Sequence, residues 1–311
     1  MKNIKRILVA IDFSELSQFA TLRAVELAKA TKAQLVMLHV TQKGFFDKVI
    51  KEALPVEKAQ LITAKEYAKQ LLEEQKNKLA PHKLKTEQII LSGNHPATKI
   101  LNYAKNNNID LLVMGAHGKY SIHDWFVGTT AEHVAEKTTC PVLIIKNKPR
   151  HDYKKILIPI DFSLASKNAL EFSGQLLPKR NLNILHVGEQ TYEDFLQNED
   201  DVNPGTSTKL RKEILLILKN KIKKFINDSN SKLKKLSSDI KLGYPGIVIL
   251  NEAKRLNPDL VVMGTEGHSQ FHYICLGRVA TRVLTEIERD ILLVPPASKK
   301  LKRKKKVNTK M

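Results

Sequence analysis

Two cysteines and one tryptophan stand among 311 residues, and aromatic residues make up only 6% of the chain. Cys140 and Cys275 can form no disulfide framework and match no zinc-ligand spacing, so a reduced, cytoplasmic protein is expected. Cys140 precedes an apolar run and reads as a buried thiol. Long apolar runs are missing too: none approaches the roughly 20 residues that a membrane-spanning helix needs, which argues against membrane partners. The opening "MKNIKRILVAIDFS" has the basic start of a signal segment, but Asp12 interrupts its apolar part, so no leader is expected. Two nucleotide signatures are absent as well. No G-x4-G-K-S/T phosphate loop occurs, and the turn after the first apolar run reads "DFSELS" where a dinucleotide fold would carry G-x-G-x-x-G. His117, His123 and His133 lack defined metal-ligand spacing, so no metal site is expected.

The composition present is that of a globular protein, with 42% hydrophobic and 27% charged residues. A net charge of +20 suggests an anionic partner until it is divided along the chain. Residues 1–147 carry 21 basic and 14 acidic side chains, whereas the last fourteen residues, "SKKLKRKKKVNTKM", carry eight basic and none acidic. The folded part is therefore mildly basic, and the excess sits in a tail, 298–311, that cannot bury apolar surface and is expected to be disordered. Such a tail either solubilises the chain or holds nucleic acid or another anionic surface through counterion release.

The body of the chain is one unit written twice. "RILVAIDFSELS" at 6–17 returns as "KILIPIDFSLAS" at 155–166, and "ILNYAKNNNIDLLVMG" at 100–115 returns as "ILNEAKRLNPDLVVMG" at 249–264, at an offset of 149 residues. "CPVLIIK" from 140 matches "RDILLVP" from 289, while "LHV" recurs at an offset of 147, which places small length changes inside each unit. This is duplication of a whole domain, with units 1–147 and 152–297 and a linker too short to hold them apart.

Within each unit strand-length apolar runs alternate with helical patterns. In the first, runs at 7–11, 35–40, 86–91, 111–114 and 142–145 read as strands. Helices are expected at 16–27, 57–79, 96–105 and 130–137. Five such alternations predict an α/β fold, a doubly wound parallel sheet covered on both faces, with the two units packed as a pseudo-twofold pair. The basic segment "KLRKEILLILKNKIKKFI" from Lys209 reads as an amphipathic helix with a solvated charged face.

In open parallel sheets ligands bind beyond the carboxyl ends of the strands. Asp12, Val40 and Gly115 end the first, second and fourth strands, and a loop with Gly118 then reaches Gly128, Thr129 and Thr130 at a helix start. A helix N-terminus is an anion site, and glycine lets backbone approach phosphate oxygens and adopt positive φ. Thr129 can add a hydroxyl donor. Asp12 suits a ribose diol, with helix capping near Ser14 as the alternative. His39 and His186, at equivalent strand ends, read as satisfied core residues. Trp125 and Phe126, matched by Tyr273 and Ile274, read as residues that pack the loop down.

"GAHG", nine residues, then "GT" resembles the G-x2-G-x9-G-S/T nucleotide loop of universal stress proteins, and "ILVAIDFS", "HP", "DLLVMG" and "CPVLII" resemble that family in order. The resemblance covers nearly the whole chain as a tandem pair, without the tail. It implies flavodoxin-like (HUP-type) domains, each with five strands in the order 3-2-1-4-5, paired through strand five. It also implies an adenine nucleotide, ATP or else AMP or ADP, held by Asp12, the Val40 backbone, Met114, Gly115, Gly118, Gly128, Thr129 and Thr130, with Mg²⁺ accompanying a triphosphate. Members that bind no nucleotide are also part of the family.

Unit two keeps Asp161, Val187, Gly264, Gly267 and Gly277 but has Arg278 in place of Thr129 and Glu266 in place of His117. Arg278 either reaches a phosphate as a second anion site or fills the pocket and pairs with Glu266, the second reading being preferred. One nucleotide per chain is the expectation. No general base or phosphate-loop lysine is visible, so no catalytic residue is assigned, and any enzymatic activity is at most slow ATP hydrolysis. The leading reading is a nucleotide-binding stress-response protein. A nucleotide-free interaction scaffold is the alternative, adenylyl transfer is weaker, and a homodimer of the chain stays open.

Overall fold

The computed structural model describes residues 3–42, 63–118, 127–178, 180–188, 204–229, 235–267 and 276–296. The first domain runs β1 (Arg6–Ile11), α1 (Glu15–Thr31), β2 (Gln34–Thr41), α2 (Ala64–Leu79), β3 (Thr86–Ser92), α3 (Pro96–Asn106), β4 (Leu111–Gly115), α4 (Thr129–Lys137) and β5 (Val142–Ile145). The second repeats it as β6 (Lys155–Ile160), α5 (Leu164–Leu176), β7 (Asn181–Gly188), α6 (Pro204–Asp228), β8 (Lys235–Leu242), α7 (Pro245–Leu256), β9 (Leu260–Gly264), α8 (Arg278–Glu286) and β10 (Asp290–Val294).

Local chemistry sets the element ends. The Ser14 side chain accepts from the Ser17 amide to open α1, and the left-handed Lys32 (φ 57°) closes it. Thr63 and Glu66 form a reciprocal capping box at the start of α2. The helix expected over 57–79 is therefore seen from Ala64 on, and 57–62 lie outside the described residues. Pro96 and Pro245 sit in the first turns of α3 and α7, where a missing N–H costs nothing.

The ten strands form one sheet in the order β3-β2-β1-β4-β5-β10-β9-β6-β7-β8. Each domain thus has the strand order 3-2-1-4-5 with parallel pairing throughout. At the centre β5 meets β10 antiparallel, with Ile144 opposite Ile291 and Leu143 opposite Leu292. Strand alternation sends Ile7 and Val9 to one face, with Ala20 and Ala24 of α1, and Leu8 to the other, with Val134 and Ala135 of α4. Leu143 and Leu292 enter the first core, while Ile144 and Ile291 enter the second, so both cores run across the seam. All four are fully buried, each contributing about 1.5–3 kcal/mol, which makes the seam a core and not a contact between surfaces.

One expectation needs correction. Cys140 is half-buried, with its sulfur 3.7 Å from the Thr138 hydroxyl, because it stands in the turn before β5 and not in the strand. Helix α6 turns its lysines to solvent as expected, and among its described side chains Ile222 is buried while Leu216 (59% exposed) and Ile217 (63%) stand on the exposed side with the lysines. Cys275, His123, Trp125, Phe126, Tyr273, Ile274 and the tail at 298–311 lie outside the described residues.

Candidate functional site

The site is built on a turn of unusual backbone. After β1 the chain passes through Asp12, Phe13 and Ser14, and Phe13 takes φ 64°, a left-handed conformation that L residues seldom adopt. Its half-buried ring packs tilted against that of the buried His39 in β2, centroids 4.8 Å apart, and this contact helps to hold the turn. The His39 Nδ1 stands 2.7 Å from the Ile11 carbonyl oxygen, so it must donate there, and burial lowers its pKa below the ordinary histidine value. The neutral ring thus ties β2 to the end of β1.

Asp12 divides its carboxylate between two tasks. Its Oδ1 accepts from the Ser14 amide (3.0 Å) and the Ser14 hydroxyl (2.5 Å), which aims Ser14 as the cap of α1. Its Oδ2 points the other way, toward the glycine loop: a Cβ on Gly118 would lie 2.5 Å from it. The capping and ligand readings of Asp12 are therefore compatible.

Each glycine of the loop has a distinct steric reason. A Cβ on Gly115 would stand 2.9 Å from Leu16 Cβ and 3.1 Å from the Leu16 carbonyl carbon, so glycine lets β4 end against α1. The Gly128 amide donates to the Ala116 carbonyl (2.7 Å), folding the loop back on itself, and a Cβ there would press on His117 Cα at 3.3 Å. The expectation of positive φ in this loop is overturned. Among the described glycines only Gly93 and Gly243 have it, and they are equivalent turns after β3 and β8. Close approach, not handedness, selects glycine at 115, 118 and 128.

Gly128 is also the N-cap of α4 and offers no side-chain acceptor to it. The first-turn amides of the helix have no intrahelical acceptor and carry the positive end of its dipole. This helix start lines a cavity of about 370 Å³, together with the strand ends: Asp12, Val40, Met114, Gly115, Gly118, Gly128, Thr129 and Thr130 all stand in its wall. All eight candidate residues of the first domain thus meet in one place. The lining also includes His117, which the pattern places beside the phosphate loop, and Gln42, Pro96 and Ile100, which the pattern does not assign to the site. Pro96 and Ile100 are apolar positions at the start of α3, and a helix expected over 96–105 gives by itself no sign that its start forms a wall. Among the described lining residues Asp12 is the one carboxylate and no lysine or arginine occurs, so positive potential comes from the helix end. The arrangement offers an apolar slot, a carboxylate oxygen and a cluster of amide donors.

The second domain copies the scaffold. Phe162 takes φ 66° and stacks on His186 at 4.5 Å, and the His186 Nδ1 donates to the Ile160 carbonyl at 2.9 Å. Burial lowers the His186 pKa, and the charge of Lys221, which sits 4.2 Å above the Phe162 ring, adds to the effect. Asp161 Oδ1 accepts from the Ser163 amide (2.9 Å), and its Oδ2 would stand 3.0 Å from a Cβ on Gly267. A Cβ on Gly264 would lie 2.7 Å from Ala165 Cβ, and the Gly277 amide donates to the Thr265 carbonyl at 2.7 Å. Val187 lies at the end of β7, 9% exposed.

The side chains above this scaffold differ. Arg278 begins α8 and is exposed, and among the described residues it forms no ion pair with Glu266. The preferred pairing of these two is thus overturned. The first turn of α8 holds the arginine outward, while Glu266 lies in the loop, where its backbone carbonyl accepts from the Ser163 hydroxyl (3.4 Å).

Comparison with known proteins agrees with this architecture. The chain is 32% identical to universal stress protein YxiE of Bacillus subtilis over 157 residues, 45% of this chain and 98% of that protein. It is 22% identical to the universal stress protein E homolog of Haemophilus influenzae over 316 residues, covering 95% of this chain and 98% of the other. The crystal structure of a universal stress protein from Archaeoglobus fulgidus superposes with a TM-score of 0.64 at 18% identity, over 95% of this chain and all of that one, a likeness of fold. The profile of the Universal stress protein family matches twice, at 3–146 and 152–295, and with the doubled five-stranded architecture this shows that the chain belongs to that family as a tandem of two such domains.

Proposed function

We propose that the first domain, taken as residues 1–147, binds an adenine nucleotide, and that the protein is a nucleotide-responsive regulator of a stress response in the cytoplasm. The observation that carries this is the convergence of Asp12, the glycine loop and the open end of α4 on one cavity of about 370 Å³. That volume falls in the range of small-molecule sites. The apolar residues Val40, Met114, Pro96 and Ile100 suit a base. The Asp12 Oδ2 suits a ribose hydroxyl, and the amides at Thr129 and Thr130 suit phosphate oxygens, each charge-assisted bond contributing about 1.5–3 kcal/mol. The cradle at Gly118 fits this ligand, since a side chain there would occupy the space in front of the carboxylate. No residue of the described lining is arranged as a base toward a terminal phosphate, so the reading is of binding and not of turnover.

Native mass spectrometry of freshly purified protein, followed by thermal shift with ATP and Mg²⁺ and with AMP, tests it. Ligand at a hundredfold excess over its dissociation constant stabilises by about 2.7 kcal/mol. No bound nucleotide and no shift with either would remove the proposal. A shift that survives Gly128→Val with Thr129→Val would place the ligand elsewhere. The eight basic residues of 298–311 favour a second reading, an interaction scaffold for an anionic partner, with the second domain taken as 152–297. Titration with a polyanion before and after removal of 298–311 tests that reading, and binding unchanged by the deletion rules it out.

A further inference from the structure

The seam between the domains is symmetric in backbone and asymmetric in charge. Just past β5, the amides of Lys146 and Asn147 both donate to Asp290 Oδ1, at 2.9 and 3.2 Å. The Tyr153 hydroxyl donates to Asp290 Oδ2 at 2.6 Å. The Lys146 ammonium reaches across to the C-terminal end of α8, donating to the carbonyls of Leu284 and Ile287, each at 2.7 Å. Arg23 of α1 lies 3.9 Å over the Tyr153 ring and donates to the His151 carbonyl at 3.1 Å. Asp290, Tyr153 and Arg23 are 3%, 2% and 5% exposed.

The 149-residue offset identifies what stands at the other end of the same seam. Asp290 corresponds to Pro141 and Glu288 to Thr139, while Lys146 and Asn147 correspond to Pro295 and Pro296. Tyr153 corresponds to Ile4 and Arg23 to Phe172. None of these counterparts carries a charge, and neither proline has an N–H to give. Two first domains paired through β5 would set each Lys146 against Pro141 and Thr139, with no carboxylate. Two second domains paired through β10 would set each Asp290 against Pro295 and Pro296, losing both amide donors. Only the mixed pair satisfies the buried carboxylate and balances the ammonium. Leaving the buried Asp290 without its amide donors is strongly unfavourable, and the half-buried Lys146 would lose the carboxylates that favour its charge.

We propose that Lys146, Asn147 and Asp290 make the β5 and β10 edges complementary to each other and incompatible with their own copies, so that each domain is coded for the other and against a second copy of itself. Burial pulls the Lys146 pKa down to about 8, against the opposing charges of Asp290 and Glu288, as a group held for specificity at some cost in stability would show.

The test uses the full chain with a protease site inserted between Pro149 and Arg150, cut after folding. The cut protein is taken through dissociating urea, returned to buffer and weighed by native mass spectrometry. The parent is expected to re-form mixed pairs, with homo-pairs at or near the detection limit. Lys146→Met with Asp290→Asn removes both charges and keeps an acceptor for the amides. In it homo-pairs are expected to rise well above those of the parent but to stay below one half, the statistical share, because the prolines opposite position 290 still offer its side chain no amide donor. Lys146→Gln with Asp290→Asn, which keeps more of the hydrogen bonding, is the second variant and serves if the first does not refold. Abundant homo-pairs in the parent, or mixed pairs alone in a refolded variant, overturn the proposal.

Discussion

The turns Asp12–Ser14 and Asp161–Ser163 are near copies, down to a phenylalanine at φ 64° in one and 66° in the other. The loops facing them are not. Where the first domain places His117 and Thr129 around its cavity, the second places Glu266 and an outward Arg278. What the two share is therefore demanded by the fold: the left-handed phenylalanine, the histidine neutral against a carbonyl, and glycines where β4 and β9 end against α1 and α5. What they do not share is free to answer to a ligand. The glycines alone are thus weak markers of a site, and the residues beside them carry the distinction.

The largest effect should come from a change that ignores the distinction. Gly115→Val and Gly264→Val each drive a side chain into the first turn of a helix, against Leu16 in one domain and Ala165 in the other. Each should cost about 1–3 kcal/mol or more in chemical denaturation, with no ligand present. A large loss at one and none at the other would break the equivalence of the two scaffolds. Gly118→Ala should separate fold from site. Its methyl meets the movable end of Asp12, 2.5 Å away, so stability should change little while nucleotide affinity falls at least about tenfold, about 1.4 kcal/mol by calorimetry. Gly267→Ala should leave that affinity untouched.

A smaller effect distinguishes the two ends of the seam. The folded pKa of Lys146 is depressed to about 8 from 10.5, so between these values the unfolded chain binds more protons. Stability should then rise with pH through that window, by on the order of 1 kcal/mol. Tyr153, whose pKa is raised above 10.0 by burial, opposes the trend only near the top of the window. Urea midpoints measured across it should flatten in Lys146→Met, and an unchanged slope would mean that another group titrates. The smallest effect is a gain: Glu266→His with Arg278→Thr should give the second domain a weak site, at least about tenfold weaker than the first. Native mass spectrometry would then be expected to count two nucleotides, against the one proposed for the parent. A count that stays at one would locate the difference in other residues.

Much of this was legible in the sequence. The apolar runs and their spacing announce the strands because each is buried on both faces, and the offset of 149 announces the pairing of like units. The eight candidate residues converge because strand ends in a parallel sheet share one edge. Other features are silent in one dimension. Phe13 in a left-handed turn contradicts its own propensity and is held there by His39, a residue of the next strand. Arg278 and Glu266 looked like partners because they are close in the pattern, but the first turn of a helix points its side chains where the sequence does not say. The cluster around Asp290 joins residues from 23 to 290 and stands out only when its prolines at the other end are set beside it.

The antiparallel meeting of β5 and β10 has one more consequence. Strands of the first domain run toward one edge of the shared sheet and those of the second toward the opposite edge, so the two ligand-facing rims look away from each other. A small molecule in one cannot touch the other, and a partner docking on one rim is blind to the far one. What links the two rims is the shared sheet of ten strands, whose two cores run unbroken from one domain into the other.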